Sequence, residues 1–203
     1  MAFTYYITDR QSCALPLLEQ ITAVVEAGVE YVQIREKDLS GRDLVALVRA
    51  AVQLAKRSGT RILVNDRLDV VLATGAQGVH LARDSFQPSE VRRVVGRGPV
   101  LIGASTHSLE EVEEACAGGV DYLLFGPVFF TPSKAPYGRP AGLAKLREAV
   151  QIASVPVFAL GGITEANYLS CLQQGAAGVA AIRLFQQADT DLTSLIATIK
   201  RQG

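Results

Sequence analysis

The sequence predicts a single (β/α)8 barrel, and three observations predict it. Short runs of apolar, β-branched and aromatic residues alternate with helically spaced segments along the whole chain. Most of these runs are apolar on both faces, the pattern of parallel strands covered by helices. The chain also repeats itself. Ala27-Gly28-Val29-Glu30-Tyr31-Val32 matches Gly118-Gly119-Val120-Asp121-Tyr122-Leu123, and Gly75-Ala76-Gln77-Gly78-Val79 matches Gly175-Ala176-Ala177-Gly178-Val179. Each repeated stretch reads as a helix end running into an even-numbered strand, so the duplicated unit is built of βα pairs. An open doubly wound sheet uses the same units. The complete eighth unit and the even repeat favour the closed barrel.

In chain order the expected strands are Phe3–Thr8, Tyr31–Arg35, Arg61–Asn65, Gly78–Leu81, Val100–Ala104, Tyr122–Phe125, Val155–Leu160 and Gly178–Ile182. Between them, apolar residues recur at steps of three and four. Leu44, Leu47, Val48 and Ala51 mark one helix, Leu109, Val112 and Cys116 another, and Leu143, Leu146 and Val150 a third. Ser40, Ser108 (with Glu111 three residues on) and Thr164 read as N-caps. Gly28, Gly59, Gly75, Gly118 and Gly175 read as stops.

With 203 residues, 49% hydrophobic, the chain can bury a core without a disulfide or metal staple. No Pro/Ser-rich linker interrupts it, so residues 1–203 are expected to form one domain. Lys+Arg 20 balances Asp+Glu 20, which argues against a general nucleic-acid or polybasic membrane binder but not against a local basic pocket. Cys13, Cys116 and Cys171 are far apart and odd in number, which suits a reducing compartment rather than a disulfide framework. Asp9 and Arg10 interrupt any signal-peptide pattern at the N-terminus. No apolar run approaches the about 18 residues of a membrane span. A cytoplasmic protein is expected, with no nucleic-acid or membrane partner; a homo-oligomer stays open.

A barrel places its active site at the C-terminal ends of the strands. Read there, the sequence offers Asp9 and Arg10, then Gln33, Arg35 and Lys37, then Asn65 and Asp66. It goes on with His80 to Ser85, Ser105 and His107, and after the sixth strand Thr131, Ser133 and Lys134. Gly161-Gly162 and Ile182-Arg183 follow the last two strands. Arg35, Lys37, Lys134 and Arg183 on one rim would make an anion site in a neutral chain. Gly161-Gly162 before a helix capped by Thr164 could offer backbone N–H groups to a phosphate. Singly, each has a structural reading: a solvated charge run, a plain turn, a capping His107, a structural His80 inside its strand, an Asn65-Asp66 helix cap. Their coincidence at strand ends points to an enzyme.

The stretches YVQIREKD, LVNDRLDV, GVHL, IGASTHSLEE, DYLLFGPVFFTPSK, VFALGGI and AGVAAI resemble the thiamine phosphate synthase/TenI superfamily, in order from Tyr5 to about Phe185. The resemblance implies a (β/α)8 barrel acting on a thiazole phosphate. One branch joins a pyrimidine diphosphate to the thiazole phosphate and releases pyrophosphate; the other aromatises a carboxythiazole phosphate by moving a proton. The resemblance assigns Gln33, Arg35 and Lys37 to the pyrimidine diphosphate, Asn65 to the pyrimidine and Asp66 to magnesium. It assigns Thr131 and Ser133 to the thiazole phosphate, Lys134 to the diphosphate, and Gly162 with Ile182–Arg183 to the phosphate cradle.

The departures bear on which branch this is. Synthases usually read H-x-G-Q-E-D after the fourth strand, whereas this chain has His80-Leu81-Ala82-Arg83-Asp84-Ser85, so the second magnesium carboxylate is replaced by Ser85. Ser85-Phe86-Gln87-Pro88 looks more like the TenI branch, and Arg183 stands where both branches commonly have serine. The sequence therefore places a TenI-type thiazole tautomerase first, needing no cofactor, with His107 as its proton shuttle. The alternative is a magnesium-dependent thiamine phosphate synthase. A non-catalytic phosphate-sensing barrel is more remote.

Overall fold

The computed structural model describes residues 1–132, 139–186 and 191–203. Eight parallel strands lie side by side in chain order: β1 (Phe3–Ile7), β2 (Tyr31–Ile34), β3 (Arg61–Asn65), β4 (Gly78–Leu81), β5 (Leu101–Thr106), β6 (Tyr122–Phe125), β7 (Val157–Leu160) and β8 (Gly178–Ala181). The last strand pairs with the first, from Phe3 opposite Gly178 to Tyr6 opposite Ala181. The sheet is closed and has no edge, which excludes the open doubly wound alternative. Eight α-helices follow the strands in turn: α1 (Leu17–Glu26), α2 (Gly41–Ala55), α3 (Leu68–Thr74), α4 (Pro88–Val95), α5 (Leu109–Ala117), α6 (Gly142–Ile152), α7 (Tyr168–Leu172) and α8 (Leu192–Arg201). Among the described residues no helix is long and apolar enough to cross a membrane.

The two-sided apolar strands build two cores. Val32, Ile62, Val79, Ile102 and Leu123 point outward and meet Val48, Leu146 and Ile199 of the helices. Tyr5, Ile7, Leu63, Tyr122, Leu124, Phe158 and Ala180 point inward and fill the barrel. Fully burying one such aliphatic or aromatic side chain is worth about 1.5–3 kcal/mol. Inside, the Tyr5 ring lies 5.8 Å from Tyr122 and 5.7 Å from Phe158, the latter edge-on. Tyr122 fits only because β5 has glycine beside it: a Cβ on Gly103 would fall 1.9 Å from the Tyr122 ring.

The internal repeat has a geometric counterpart. Gly28 and Gly119 enter β2 and β6, Gly75 and Gly175 enter β4 and β8, and all four have positive φ. Gly118 itself stays helical and passes that role to Gly119. Gly59 does not cap α2, which ends at Ala55 with Lys56 as its C-cap.

Strand bounds differ from expectation by one or two residues. β7 starts at Val157 because Pro156 has no N–H to give the ladder. β5 runs on to Thr106, and β8 stops before Ile182, where a 3-10 turn (Arg183–Phe185) begins. Ser40 and Ser108 cap α2 and α5 as expected, each accepting from the backbone three residues on. Thr164 caps nothing: α7 starts at Tyr168, after Asn167, whose side chain instead bonds Thr164 N and Gly162 O. Five residues of helix that begin six positions beyond Gly162 are no anion-binding N-terminus.

Candidate active site

The C-terminal mouth of the barrel gathers most of the expected residues into two groups. The first spans the exits of β2 to β5. Asp66 follows β3 with φ +59°, a left-handed conformation that costs a side-chain residue energy and is best tolerated by Asn and Asp. Its carboxylate holds it there. Oδ1 accepts from Ala82 N at 2.8 Å and Oδ2 accepts from Asn65 Nδ2 at 2.7 Å. Asn65 Oδ1 in turn accepts from Gln33 Nε2 at 3.0 Å. Gln33 Oε1 accepts from the Tyr5 hydroxyl at 3.0 Å, and Tyr5 lies 2.9 Å from the Tyr122 hydroxyl. Tyr122 lies 3.1 Å from His80 Nδ1, and His80 Nε2 lies 2.9 Å from Ser105 Oγ.

Seven side chains from β1 to β6 thus form one continuous hydrogen-bonded chain through the upper barrel. Among the described residues, no buried side-chain nitrogen or oxygen lacks a partner. Burial pushes the His80 imidazole down to about 3; the nearby Asp66 carboxylate opposes this and the Arg35 guanidinium adds to it. His80 is therefore neutral at ordinary pH, and it feels both charged residues of the β2 and β3 exits. Arg35 is itself placed through its backbone N–H, which donates to Thr8 Oγ1 at 2.9 Å. Thr8 and the Arg10 guanidinium both bond the buried carboxylate of Glu36. Glu36 is therefore not a solvated charge: it ties the β1 and β2 exits together. Lys37 beside it is exposed.

The second group spans the exits of β6 to β8. Gly161 and Gly162 have φ of +94° and +67°, and the β6 loop presses on both. A Cβ on Gly161 would lie 2.6 Å from Pro127, and one on Gly162 2.6 Å from the Phe130 carbonyl oxygen. Phe129 N donates to Gly161 O at 3.0 Å and fixes that approach. Arg183, after β8, donates from Nη2 to Thr131 Oγ1 at 3.1 Å. Thr131, Gly161, Gly162, Ile182 and Arg183 therefore stand together on one side of the mouth. Ser133 and Lys134 lie outside the described residues.

His107 follows β5 but turns back on its own helix: its backbone N and Nδ1 both meet Glu111 Oε2, at 2.7 and 3.0 Å. Glu111 also pairs with Arg83 at 3.6 Å, so Arg83 has a carboxylate partner already. Ser85 closes a turn with Ala82, the residue Asp66 holds, through a 3.1 Å bond to Ala82 O.

Among the described residues, no group of three or more His, Cys, Asp or Glu could cage a metal. Asp66 still has an unused lone pair on each oxygen. Magnesium commonly binds through one or two carboxylates, with substrate phosphates and water completing its octahedron. These residues fit a magnesium that arrives with a diphosphate; they do not fit a resident protein-only site.

A family model described as thiamine monophosphate synthase matches residues 4–185. The chain belongs to the thiamine monophosphate synthase family. It is 47% identical over 179 residues to a putative thiamine-phosphate synthase of Geobacter sulfurreducens, covering 88% of this chain and 84% of that one. It is 38% identical to a thiamine-phosphate synthase of Roseiflexus castenholzii, covering 88% and 78%. Among solved structures, a thiamine phosphate pyrophosphorylase from Pyrococcus furiosus superposes with a TM-score of 0.89 at 32% identity, covering 98% and 96%. This family member is accordingly an enzyme of thiamine biosynthesis. The lean towards the TenI branch is not borne out, because these relatives carry the synthase name.

Sequence reasoning missed Tyr5, Tyr122 and Glu36 as parts of the site, and it set His80 aside as structural. The available signal was parity. Tyr5 and Ile7 alternate inward on β1, and Gly103 leaves space two residues before Ser105.

Proposed function

We propose that this chain is a magnesium-dependent thiamine phosphate synthase, joining a pyrimidine diphosphate to thiazole phosphate with release of pyrophosphate. The observation that carries this reading is the Gln33–Asn65–Asp66 ladder, two amides and a carboxylate at 3.0 and 2.7 Å, beside Arg35. A proton shift within one ring does not call for such a set; a second substrate with a diphosphate does. The names of the relatives support the same choice over a tautomerase. His107 does not discriminate between the two: Glu111 engages its Nδ1 and leaves Nε2 available, which either reaction tolerates.

In this reading the pyrimidine lies against Gln33, Asn65 and Ser105. Arg35, Lys37 and Lys134 would hold the diphosphate, and Asp66 would hold the magnesium that comes with it. Bound magnesium would neutralise charge on the departing diphosphate. Thr131, Ser133, Gly161, Gly162, Ile182 and Arg183 hold the thiazole phosphate, so that the two rings meet within the mouth. Ser85 need not be a carboxylate, because substrate phosphate oxygens and water would supply the ligands that Asp66 does not. The chain's work is orientation of two bound rings, a contribution that reaches roughly 7–11 kcal/mol in well-aligned cases.

The test is pyrophosphate release from the two substrates as magnesium is titrated. Saturable, magnesium-dependent release is expected, with Asp66→Asn needing at least tenfold more magnesium. Release that ignores magnesium in both proteins would remove Asp66 from this role. No release, with turnover of carboxythiazole phosphate, would restore the tautomerase.

A further inference from the structure

The hydrogen-bonded chain from Asp66 to Ser105 has a direction that its chemistry dictates. Asp66 accepts on both carboxylate oxygens, from Ala82 N and, at 2.7 Å, from Asn65 Nδ2, so Asn65 keeps Oδ1 for its other neighbour. Gln33 must then donate from Nε2, at 3.0 Å, and accept on Oε1. Oε1 is met by the Tyr5 hydroxyl, which spends its single proton there. Tyr5 can only accept from Tyr122, 2.9 Å away, and this spends the single proton of Tyr122. The 3.1 Å contact between Tyr122 and His80 Nδ1 then needs a proton from the imidazole. A neutral His80 with Nδ1–H has a bare Nε2, so Ser105 must donate into it at 2.9 Å.

We infer that Tyr5, Tyr122 and His80 are positioning residues: they relay the fixed polarity of Asp66 to Ser105, holding His80 as its Nδ1–H tautomer and turning the Ser105 proton inward. The consequence reaches the mouth. Ser105 is half-buried and on the inward face of β5; it and Asp66 are the two members of the relay that are not buried. With its proton committed to His80, Ser105 presents oxygen lone pairs outward. It therefore selects a ligand group that donates, an amino or other N–H, and rejects a carbonyl or ring nitrogen at that point. This selectivity rests on the synthase reading only in assigning Ser105 to substrate. The tautomer itself does not depend on which reaction the protein performs.

The relay predicts an effect at a distance. Removing the Tyr5 hydroxyl frees the Tyr122 proton, whose best remaining acceptor is His80 Nδ1; the imidazole must then carry its proton on Nε2. Tyr5 makes no hydrogen bond to His80, so a merely local, structural role for Tyr5 would leave the tautomer unchanged.

The experiment is nitrogen-15 NMR of the two imidazoles in the ligand-free full chain near neutral pH, with His107→Asn to assign the signals of this two-histidine protein. The wild type is expected to show His80 protonated on Nδ1 and bare on Nε2. Tyr5→Phe and Tyr122→Phe are each expected to move the proton to Nε2. Gln33→Leu, two links from Tyr122, is the fallback should either tyrosine variant fail to fold, and it is expected to do the same. A wild-type His80 protonated on Nε2 would overturn the relay, as would a Tyr5→Phe or Gln33→Leu protein that keeps Nδ1–H. None of these readouts uses substrate, so a failure of the relay is separable from a failure of the synthase assignment.

Discussion

At the residue scale, the buried histidine links the site to the stability of the fold. His80 sits at about 3 when folded, against about 6.5 when exposed. Between those values the unfolded chain binds a proton that the folded chain refuses. Stability therefore rises with pH across that window and is lost as pH falls below about 6.5, by up to about 1.4 kcal/mol per unit for this one group. Denaturant unfolding at pH 7 and pH 5 is expected to show this loss, and His80→Gln to shrink it. An equal loss in the variant would assign the acid sensitivity to other groups. Gly103 is the other single residue on which the site turns. Gly103→Ala puts a methyl into the Tyr122 ring, and overpacking of this kind costs typically 1–3 kcal/mol. A lowered urea midpoint with unchanged slope is expected, and a neutral Gly103→Ala would show that the ring moves aside freely.

At the element scale, the loops after β6, β7 and β8 work as a unit. Gly162→Ala meets both a positive φ and the Phe130 carbonyl. Backbone strain of order 1–3 kcal/mol is expected, together with a clear loss of thiazole phosphate affinity measured by calorimetry. Retained affinity would free the glycine pair from the phosphate site. Arg183→Ser removes the Thr131 contact, and a charge-assisted phosphate bond is worth about 1.5–3 kcal/mol. Affinity should fall by roughly tenfold or more; unchanged affinity would leave Arg183 a surface charge. The strand exits here were legible in the sequence because an apolar run giving way to polar residues marks where a buried strand meets solvent. The Thr164 cap was not, since the chain makes a further turn before α7, with Asn167 N and Tyr168 N donating to Thr164 O and the Asn167 side chain tying Thr164 N to Gly162 O. Propensity alone does not say where in such a turn the regular helix starts.

Across the whole molecule, barrel closure was readable from the count of βα units and from their repeat. Closure then brought together side chains that the sequence keeps far apart, such as Tyr5 and Tyr122, 117 positions distant. Their hydroxyls were invisible in the sequence because aromatic residues in a strand read as core, which they also are. What turns them into a relay is the register between neighbouring strands, and local pattern does not fix that register. The lean towards a tautomerase had a comparable origin. It counted carboxylates along one loop, whereas magnesium counts oxygens from every source, substrate included.

Phosphorus-31 NMR of a single mixture separates the two reactions most directly. It holds the purified protein, magnesium, a hydroxymethylpyrimidine diphosphate, thiazole phosphate and carboxythiazole phosphate. Pyrophosphate and thiamine phosphate signals are expected to grow together, and removing magnesium with a chelator is expected to stop both. Loss of the carboxythiazole phosphate signal alone, with no pyrophosphate formed, would contradict the synthase reading.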